Sequence, residues 1–240
     1  MAIVGILFDL YGTLIDIETD ESMEEIYRSI AHFLTYQGLN LRRGEVRDLY
    51  WRILKQQKVA SPEQYPEINV GAIWNSFLQQ QGVNSSAERK KLSAILSHLH
   101  RGISRKRLQL YPEVQRVLET LRVTYRIGLI SDAQPCYALP EIQAVGLGGY
   151  FDPIVISADD GFRKPDARLF AKALEMMKLQ AAQVIYVGND MYRDIYGANQ
   201  AGIKTIFVDS NQGEKSYADT QPDYFAARFE DVLPGVAALS

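Results

Sequence analysis

The chain has 240 residues and a formal net charge of -3, with 26 basic against 29 acidic side chains. Hydrophobic residues make up 47% and charged residues 23%, which is typical of a globular protein of one or two domains. Neither sign of charge forms a block, so the composition argues against a nucleic-acid or membrane-surface partner and favours a small-molecule substrate. The single cysteine, Cys136, excludes an internal disulfide framework. Because the start of the chain also lacks a basic leader, we expect a cytoplasmic protein; the oligomeric state is not indicated.

The beginning of the chain predicts one buried strand followed by a long helical segment. Residues 3–8 form a short apolar run, the pattern of a parallel strand covered on both faces. The run ends at Asp9, and Gly12 allows a tight turn soon after. From about residue 21 to residue 108, apolar side chains recur at helical spacing, with Pro, Gly and Asn between the helices.

After residue 109 the pattern changes to helices alternating with apolar strands. Strands are predicted over residues 126–131, 153–157, 184–187 and 203–208, with amphipathic helices at residues 113–123 and 166–177 between them. Alternation of this kind indicates an α/β fold, a doubly wound parallel sheet. We therefore predict a core domain of residues 1–16 and 109–240 and an inserted helical domain of residues 17–108.

Four polar side chains follow the predicted strands at their carboxyl ends. They are Asp9, Ser131, Asp132 and Asp190. Ligands of doubly wound sheets bind beyond the carboxyl ends of the strands. The sequence therefore predicts that one site collects these residues.

Four short motifs in chain order resemble those of the haloacid dehalogenase superfamily. They are FDLYGTL at residues 8–14, ISD at residues 130–132, RKPD at residues 163–166 and VGNDMYRDI at residues 187–195. The resemblance covers essentially the whole chain and assigns the inserted helices to the helical cap of that family. It implies a Rossmann-like core and a hydrolase that uses an aspartate nucleophile.

The resemblance assigns a chemical role to each motif. Asp9 is expected to attack the substrate and form a covalent intermediate that water hydrolyses. Ser131 is expected to orient the transferring phosphoryl group. Lys164 is expected to neutralise charge on Asp9 and on the bound phosphate. Gly12, Thr13 and Asp132 are expected to contribute to substrate binding.

The last motif predicts a magnesium site. Carboxylate oxygens suit Mg²⁺, which takes few protein ligands and keeps waters and substrate phosphate as the others. We expect Asp9, the backbone carbonyl of Tyr11 and Asp190 to bind the ion. Asn189 and Asp194 are expected to contact the metal ligands rather than the ion itself. Asp194, four residues after Asp190, can also orient Lys164.

Tyr11 departs from the usual phosphatase pattern. Relatives with phosphatase activity carry an aspartate there as general acid and base, whereas 2-haloacid dehalogenases of the same superfamily have tyrosine. A halide leaves without a proton, so a dehalogenase is one alternative. Asp190 favours a Mg²⁺-dependent phosphatase. Because such a phosphatase would lack the general acid at position 11, it should prefer aryl or acyl phosphates over alkyl phosphates. A low-activity binding or regulatory protein is a third reading, motivated by Tyr11 and Asn189.

Overall fold

The computed structural model describes residues 2–240 and contains eight strands. They are β1 (Gly5–Phe8), β2 (Ile15–Thr19), β3 (Arg105–Leu110), β4 (Arg126–Ser131), β5 (Ile154–Ile156), β6 (Val184–Gly188), β7 (Lys204–Val208) and β8 (Tyr224–Ala226). Six of them form one sheet in the order β5-β4-β1-β6-β7-β8, and every pairing in it is parallel. Strand β1 is central because β4 and β6 flank it, so the residues after β1 lie in the middle of the carboxyl edge.

Helices cover both faces of the sheet. The helices are α1 (Glu24–Thr35), α2 (Arg43–Ala60), α3 (Val70–Gln80), α4 (Ser86–Ser104), α5 (Val114–Leu121), α6 (Pro135–Ala144), α7 (Ser157–Asp160), α8 (Ala167–Met177), α9 (Gly197–Gln200) and α10 (Val232–Leu239). Three short helical turns complete the order: Ala181–Gln183 and Phe229–Asp231 are 3₁₀, and Met191–Tyr196 is a π-turn.

Alternate residues of the strands supply the two layers of the core. Ile6 and Phe8 of β1 pack in one cluster with α5, α6 and α10. Leu7, between them, packs in a second cluster with α8 and α9. The period of two in a strand sends neighbouring side chains to opposite faces. The observed architecture confirms the predicted doubly wound α/β fold.

Helices α1 to α4 form the cap, which has an apolar core of its own. Tyr27, Tyr50 and Trp74 lie at its centre, and Tyr137 of α6 packs against the same cluster. Asn69 is the N-cap of α3, and its side chain accepts the N–H of Ala72 at 2.8 Å, which satisfies one unpaired amide of the first turn.

Two features were not predicted from the sequence. Strands β2 and β3 pair antiparallel as a two-stranded ribbon that joins the cap to the sheet, and the expected boundaries after residues 16 and 108 fall inside it. Strand β8 has three residues at an edge, too few to form a recognisable alternation. Within residues 2–240, none of the helices combines the length and apolar character that a membrane span requires.

Candidate active site

Lys164 is the centre of a buried charge network at the carboxyl edge of the sheet. Its ammonium donates to Asp9 Oδ1 at 2.6 Å, to Asp194 Oδ1 at 2.6 Å and to the Tyr186 hydroxyl at 3.1 Å. Burial by itself lowers the pKa of Lys164, but Asp194 and Asp9 outweigh it and hold the pKa well above its ordinary value. The side chain, 2% exposed, therefore remains a cation beside the Asp9 carboxylate.

Thr13 connects Asp9 to the last motif. Its hydroxyl lies 3.0 Å from Asp9 Oδ2 and 3.0 Å from Asn189 Oδ1. A hydroxyl has one proton to donate, so only one of these two oxygens receives it at a time. Gly12 makes the approach possible, since its φ is +91° and a Cβ there would lie 2.4 Å from Asn189 Nδ2.

Ser131 and Asp132 end strand β4, the neighbour of β1. The Ser131 hydroxyl and Asp132 Oδ2 are buried, and neither has a hydrogen-bond partner in the described part of the chain. Asp132 Oδ1 accepts the backbone N–H of Lys164 at 2.9 Å, which fixes the carboxyl group. Buried polar atoms without partners are uncommon and often mark the place of a ligand or an ordered water.

Asp190, the predicted metal ligand, accepts hydrogen bonds at both of its carboxylate oxygens. Its Oδ1 accepts the backbone N–H groups of Tyr192 and Arg193, and its Oδ2 accepts the Arg193 guanidinium at 2.7 and 3.0 Å and the Glu214 N–H at 3.1 Å. The carboxylate thus caps the π-turn and pairs with Arg193, and these donors occupy both of its oxygens. Asn189, which was predicted to contact the metal ligands, is the residue of this motif that lies near the same Thr13 hydroxyl as Asp9.

Asp194 holds the motif together. Its Oδ2 accepts the backbone N–H groups of Asn189 and Asp190 at 3.1 and 3.0 Å, while its Oδ1 accepts Lys164. This carboxylate is 1% exposed, and one side chain therefore orients both the turn and the lysine.

Tyr11 is bound to residues of the cap and of α6. Its hydroxyl donates to Glu141, a 3% exposed carboxylate that also accepts the Arg101 guanidinium at 2.8 and 3.0 Å. The guanidinium carbon lies 5.5 Å from the Tyr11 ring centre and 5.0 Å from that of Tyr137. Burial, followed by the charge of Glu141, raises the pKa of Tyr11 far above its ordinary value. The phenol therefore keeps its proton and directs it towards Glu141.

A cavity of about 290 Å³ separates the cap from this part of the core. Tyr11, Asp132 and Arg193 line it from the core, and Glu21, Glu67 and Arg101 line it from the other side. A second hollow of about 520 Å³ contains Lys164 and Asp190 and shares Arg193 with the first. A larger hollow of about 610 Å³ includes only Thr13 of the predicted residues, so it is not where the reactive groups meet.

Sequence reasoning missed four residues of this site. Glu141 and Arg101 are 40 positions apart on helices of different domains, and no local pattern joins them. Tyr186 lies inside an apolar strand, where it is indistinguishable from a core residue. Arg193 had a signal, because it follows Asp190 by three positions on a helical turn, the spacing of a local ion pair.

The oxygen atoms near Asp9 are the possible ligands of a cation at this site. Across residues 2–240, the structure contains no group of three or more His, Cys, Asp and Glu side chains arranged to hold a metal ion. Asp9 and Asn189 nevertheless present two oxygens that compete for the single Thr13 proton. One carboxylate, one amide oxygen and the backbone carbonyl of Tyr11 are hard donors of the kind Mg²⁺ uses together with water and phosphate.

Comparison with known proteins bears on the family of this chain. A family model described as haloacid dehalogenase-like hydrolase matches residues 3–202. A glyceraldehyde 3-phosphate phosphatase of Pyrococcus abyssi is 35% identical over 97 residues, but this match spans only 40% of this chain and 41% of the relative. A phosphoglycolate phosphatase of Yersinia pseudotuberculosis is 28% identical over 100% of this chain and 95% of its own length.

A solved structure extends the likeness to the whole fold. A 2-haloacid dehalogenase from Pseudomonas syringae pv. Tomato DC3000 superposes with a TM-score of 0.70 at 28% identity, covering 98% of both chains. Together with the family match, these similarities confirm the resemblance that the four motifs indicate. The chain belongs to the haloacid dehalogenase-like hydrolases.

Proposed function

We propose that this hydrolase is a Mg²⁺-dependent phosphatase that acts on a small phosphorylated metabolite through an aspartyl-phosphate on Asp9. The observation that carries the proposal is the buried ammonium of Lys164, 2.6 Å from the Asp9 carboxylate, at the carboxyl edge of the sheet, where the Ser131 hydroxyl has no hydrogen-bond partner among residues 2–240. A fixed cation and an unpaired hydroxyl suit the charged oxygens of a phosphoryl group. The phosphatase names of the relatives support the same reading.

The reaction divides into two displacements. A carboxylate oxygen of Asp9 attacks phosphorus, the bond to the ester oxygen breaks, and the phosphoryl group moves to Asp9. Water then attacks the phosphorus of this intermediate, which releases phosphate and restores the carboxylate. Lys164 reduces the repulsion between Asp9 and the phosphate in both steps, and Asp194 and Tyr186 keep its ammonium in place.

The magnesium ion would be held by the Asp9 carboxylate and the Tyr11 carbonyl, as the sequence predicts. We propose the side-chain oxygen of Asn189 as the third protein ligand in place of Asp190, because Asp190 is committed to Arg193 and to backbone amides. When bound, the ion shields the negative charge of the phosphate. With a single carboxylate among its ligands, this site should bind Mg²⁺ weakly.

A 2-haloacid dehalogenase is the second candidate. The observations that favour it are the orientation of Asp190 away from the site and the tyrosine at position 11, whose phenol donates to Glu141. An aspartyl ester formed by displacement of a halide needs neither a metal nor an acid. The structural likeness to a protein named as a 2-haloacid dehalogenase points in the same direction.

Two substrates distinguish these candidates. Hydrolysis of p-nitrophenyl phosphate and release of chloride from 2-chloropropionate are measured with Mg²⁺ and with EDTA. We expect phosphate release that stops in EDTA and that falls at least about 10³-fold in Asp9→Asn. The exposed Asp219→Asn serves as the matched control and should be unaffected. Chloride release that persists in EDTA would establish the dehalogenase, and full turnover by Asp9→Asn would exclude an aspartate nucleophile.

A further inference from the structure

The reaction as described lacks a group that protonates the leaving oxygen. The family pattern assigns this task to residue 11, but the Tyr11 hydroxyl donates to Glu141 and its pKa is raised by burial. An alkoxide is a poor leaving group, and a positioned acid typically accelerates its departure by about 10² to 10⁴ times. On the basis of the proposed phosphatase activity, and for an alkyl ester as substrate, another side chain must carry that proton.

Three carboxyl groups line the cavity beside Tyr11. Glu67 is already engaged, because its Oε2 accepts the Ser157 hydroxyl at 2.8 Å and its Oε1 accepts the Ile68 N–H at 2.9 Å. Glu21 lies between β2 and α1, in the segment that leads into the cap, and is not attached to a strand of the six-stranded sheet. Asp132 alone is attached to the reactive edge of the sheet, directly after Ser131.

Asp132 has the geometry of a proton donor. The Lys164 N–H holds its Oδ1 at 2.9 Å, whereas its Oδ2 is buried and has no partner in residues 2–240. Burying a charged carboxylate oxygen without a hydrogen-bond donor costs free energy, so the neutral, protonated form is favoured here. A protonated carboxyl group at this position can donate its proton to a substrate oxygen.

The charges around Asp132 come from three elements. Lys164 precedes α8, Arg193 and Asp194 belong to the π-turn, and Glu67 lies in the loop between α2 and α3 of the cap. Burial raises the pKa of Asp132, Lys164 and Arg193 lower it, and Asp194 raises it; the net direction is upward. An acid whose pKa is raised keeps its proton closer to neutral pH.

We propose that Asp132 is the general acid and base of this enzyme. In the first step the Asp132 carboxyl gives its proton to the ester oxygen as the bond from phosphorus to that oxygen breaks, which releases an alcohol and leaves Asp132 as a carboxylate. In the second step this carboxylate takes a proton from the water that attacks the aspartyl-phosphate. Phosphate leaves, Asp9 is again a carboxylate, Asp132 is again an acid, and one water has been consumed.

The test compares leaving groups. The alcohol of 2-phosphoglycolate needs a proton to depart, whereas p-nitrophenolate departs without one. In Asp132→Asn we expect kcat/KM to fall at least about 100-fold with 2-phosphoglycolate and less than about fivefold with p-nitrophenyl phosphate. Asp219→Asn, the loss of an exposed carboxyl outside this cavity, should change both substrates equally and by less than about threefold.

A pH profile gives a second readout that a purely structural residue would not change. Because the acid must carry its proton, the wild-type rate with 2-phosphoglycolate should fall as the pH rises through the pKa of Asp132, while the rate with p-nitrophenyl phosphate should lack this limb. If Asp132→Asn fails to fold, Asp132→Ala with added formate replaces it, and formate should restore hydrolysis of 2-phosphoglycolate selectively.

Equal losses with both substrates, or no loss, would overturn the role of Asp132. A pH profile with 2-phosphoglycolate in which the rate does not fall with rising pH would also overturn it. These outcomes are distinct from failure of the phosphatase proposal, in which the wild-type enzyme would not hydrolyse p-nitrophenyl phosphate in an Asp9-dependent way.

Discussion

Two neighbouring side chains, Asn189 and Asp190, have different contacts: one faces Asp9 and the other stabilises the turn. Asn189 shares the Thr13 hydroxyl with Asp9, while Asp190 caps the π-turn and pairs with Arg193. Replacing Asn189 by Asp puts a second carboxylate beside Asp9. We expect Mg²⁺ to bind at least about tenfold more tightly, since a second anionic ligand strengthens the attraction of a divalent cation. Calorimetric titration with Mg²⁺ measures this directly.

Asp190→Asn is the matched control for Asn189→Asp. Because Asp190 acts through Arg193 and backbone amides, we expect Mg²⁺ affinity to change less than about threefold, while the free energy of unfolding falls by about 1–3 kcal/mol from the weakened cap and ion pair. If Asp190→Asn abolishes Mg²⁺ binding and Asn189→Asp leaves it unchanged, the assignment of ligands should revert to Asp190.

At the scale of one element, helix α4 carries a buried histidine into the cap core. His100 is 1% exposed, packs 4.8 Å from the ring of Tyr50, and neither of its ring nitrogens has a hydrogen-bond partner in the described chain. Burial lowers the pKa of His100 from 6.5 to about 4. The unfolded chain therefore binds a proton more readily than the folded one, so this contribution to stability is present above pH 6.5 and is lost as the pH falls towards 4.

This linkage predicts acid sensitivity that one substitution removes. Between pH 7 and pH 4.5, we expect the unfolding free energy of the wild type to fall by about 2 kcal/mol more than that of His100→Phe. Urea titrations followed by circular dichroism at both pH values provide the comparison. His98→Phe, on the exposed face of the same helix, should keep the wild-type dependence. Identical pH dependence in His100→Phe and wild type would contradict a neutral buried imidazole.

For the whole molecule, the docking of the cap on the core brings the cap loop of residues 65–70 to the cavity that Asp132 lines. Gln134, at the start of α6, accepts the Val70 N–H at 2.9 Å and donates to the Ile68 carbonyl at 2.7 Å. The same cap loop is joined to the core by the Glu67 N–H, which donates to the Gly161 carbonyl at 3.0 Å, and by the Arg163 N–H, which donates to the Tyr65 carbonyl at 2.9 Å. We propose that substrate enters when these contacts open and that closure excludes water from the intermediate.

Gln134→Ala tests this closure. The two lost hydrogen bonds are each worth about 0.5–1.5 kcal/mol, so closing becomes less favourable by about 1–3 kcal/mol and kcat/KM should fall about 5- to 160-fold. Hydrogen exchange of residues 65–70 should accelerate in the same variant. Gln115→Ala, on the exposed face of α5, is the control. Unchanged exchange in the cap loop would show that Gln134 does not govern closure.

Much of the fold was predictable because its signals are local. Apolar runs such as residues 184–187 and amphipathic helices such as α8 carry their periodicity in neighbouring residues, and their alternation indicates a parallel sheet. The β2–β3 ribbon was missed because its two strands pair across the entire cap, with residues 15 and 110 opposite each other. Strand β3 also has a largely basic and polar sequence, which gives no strand pattern.

The sequence by itself determined that Asp9, Ser131, Asp132 and Asp190 follow strands of one sheet, because a parallel sheet brings the carboxyl ends of its strands to one edge. Only the tertiary structure decided which oxygen faces which partner. Asn189 and Asp190 differ by one position along a turn, and the direction of each side chain depends on the π-turn, on Thr13 and on Arg193. The contact of Tyr11 with Glu141 likewise joins residues 130 positions apart. Such contacts depend on how helices pack, and packing is a property of the whole chain rather than of any short segment.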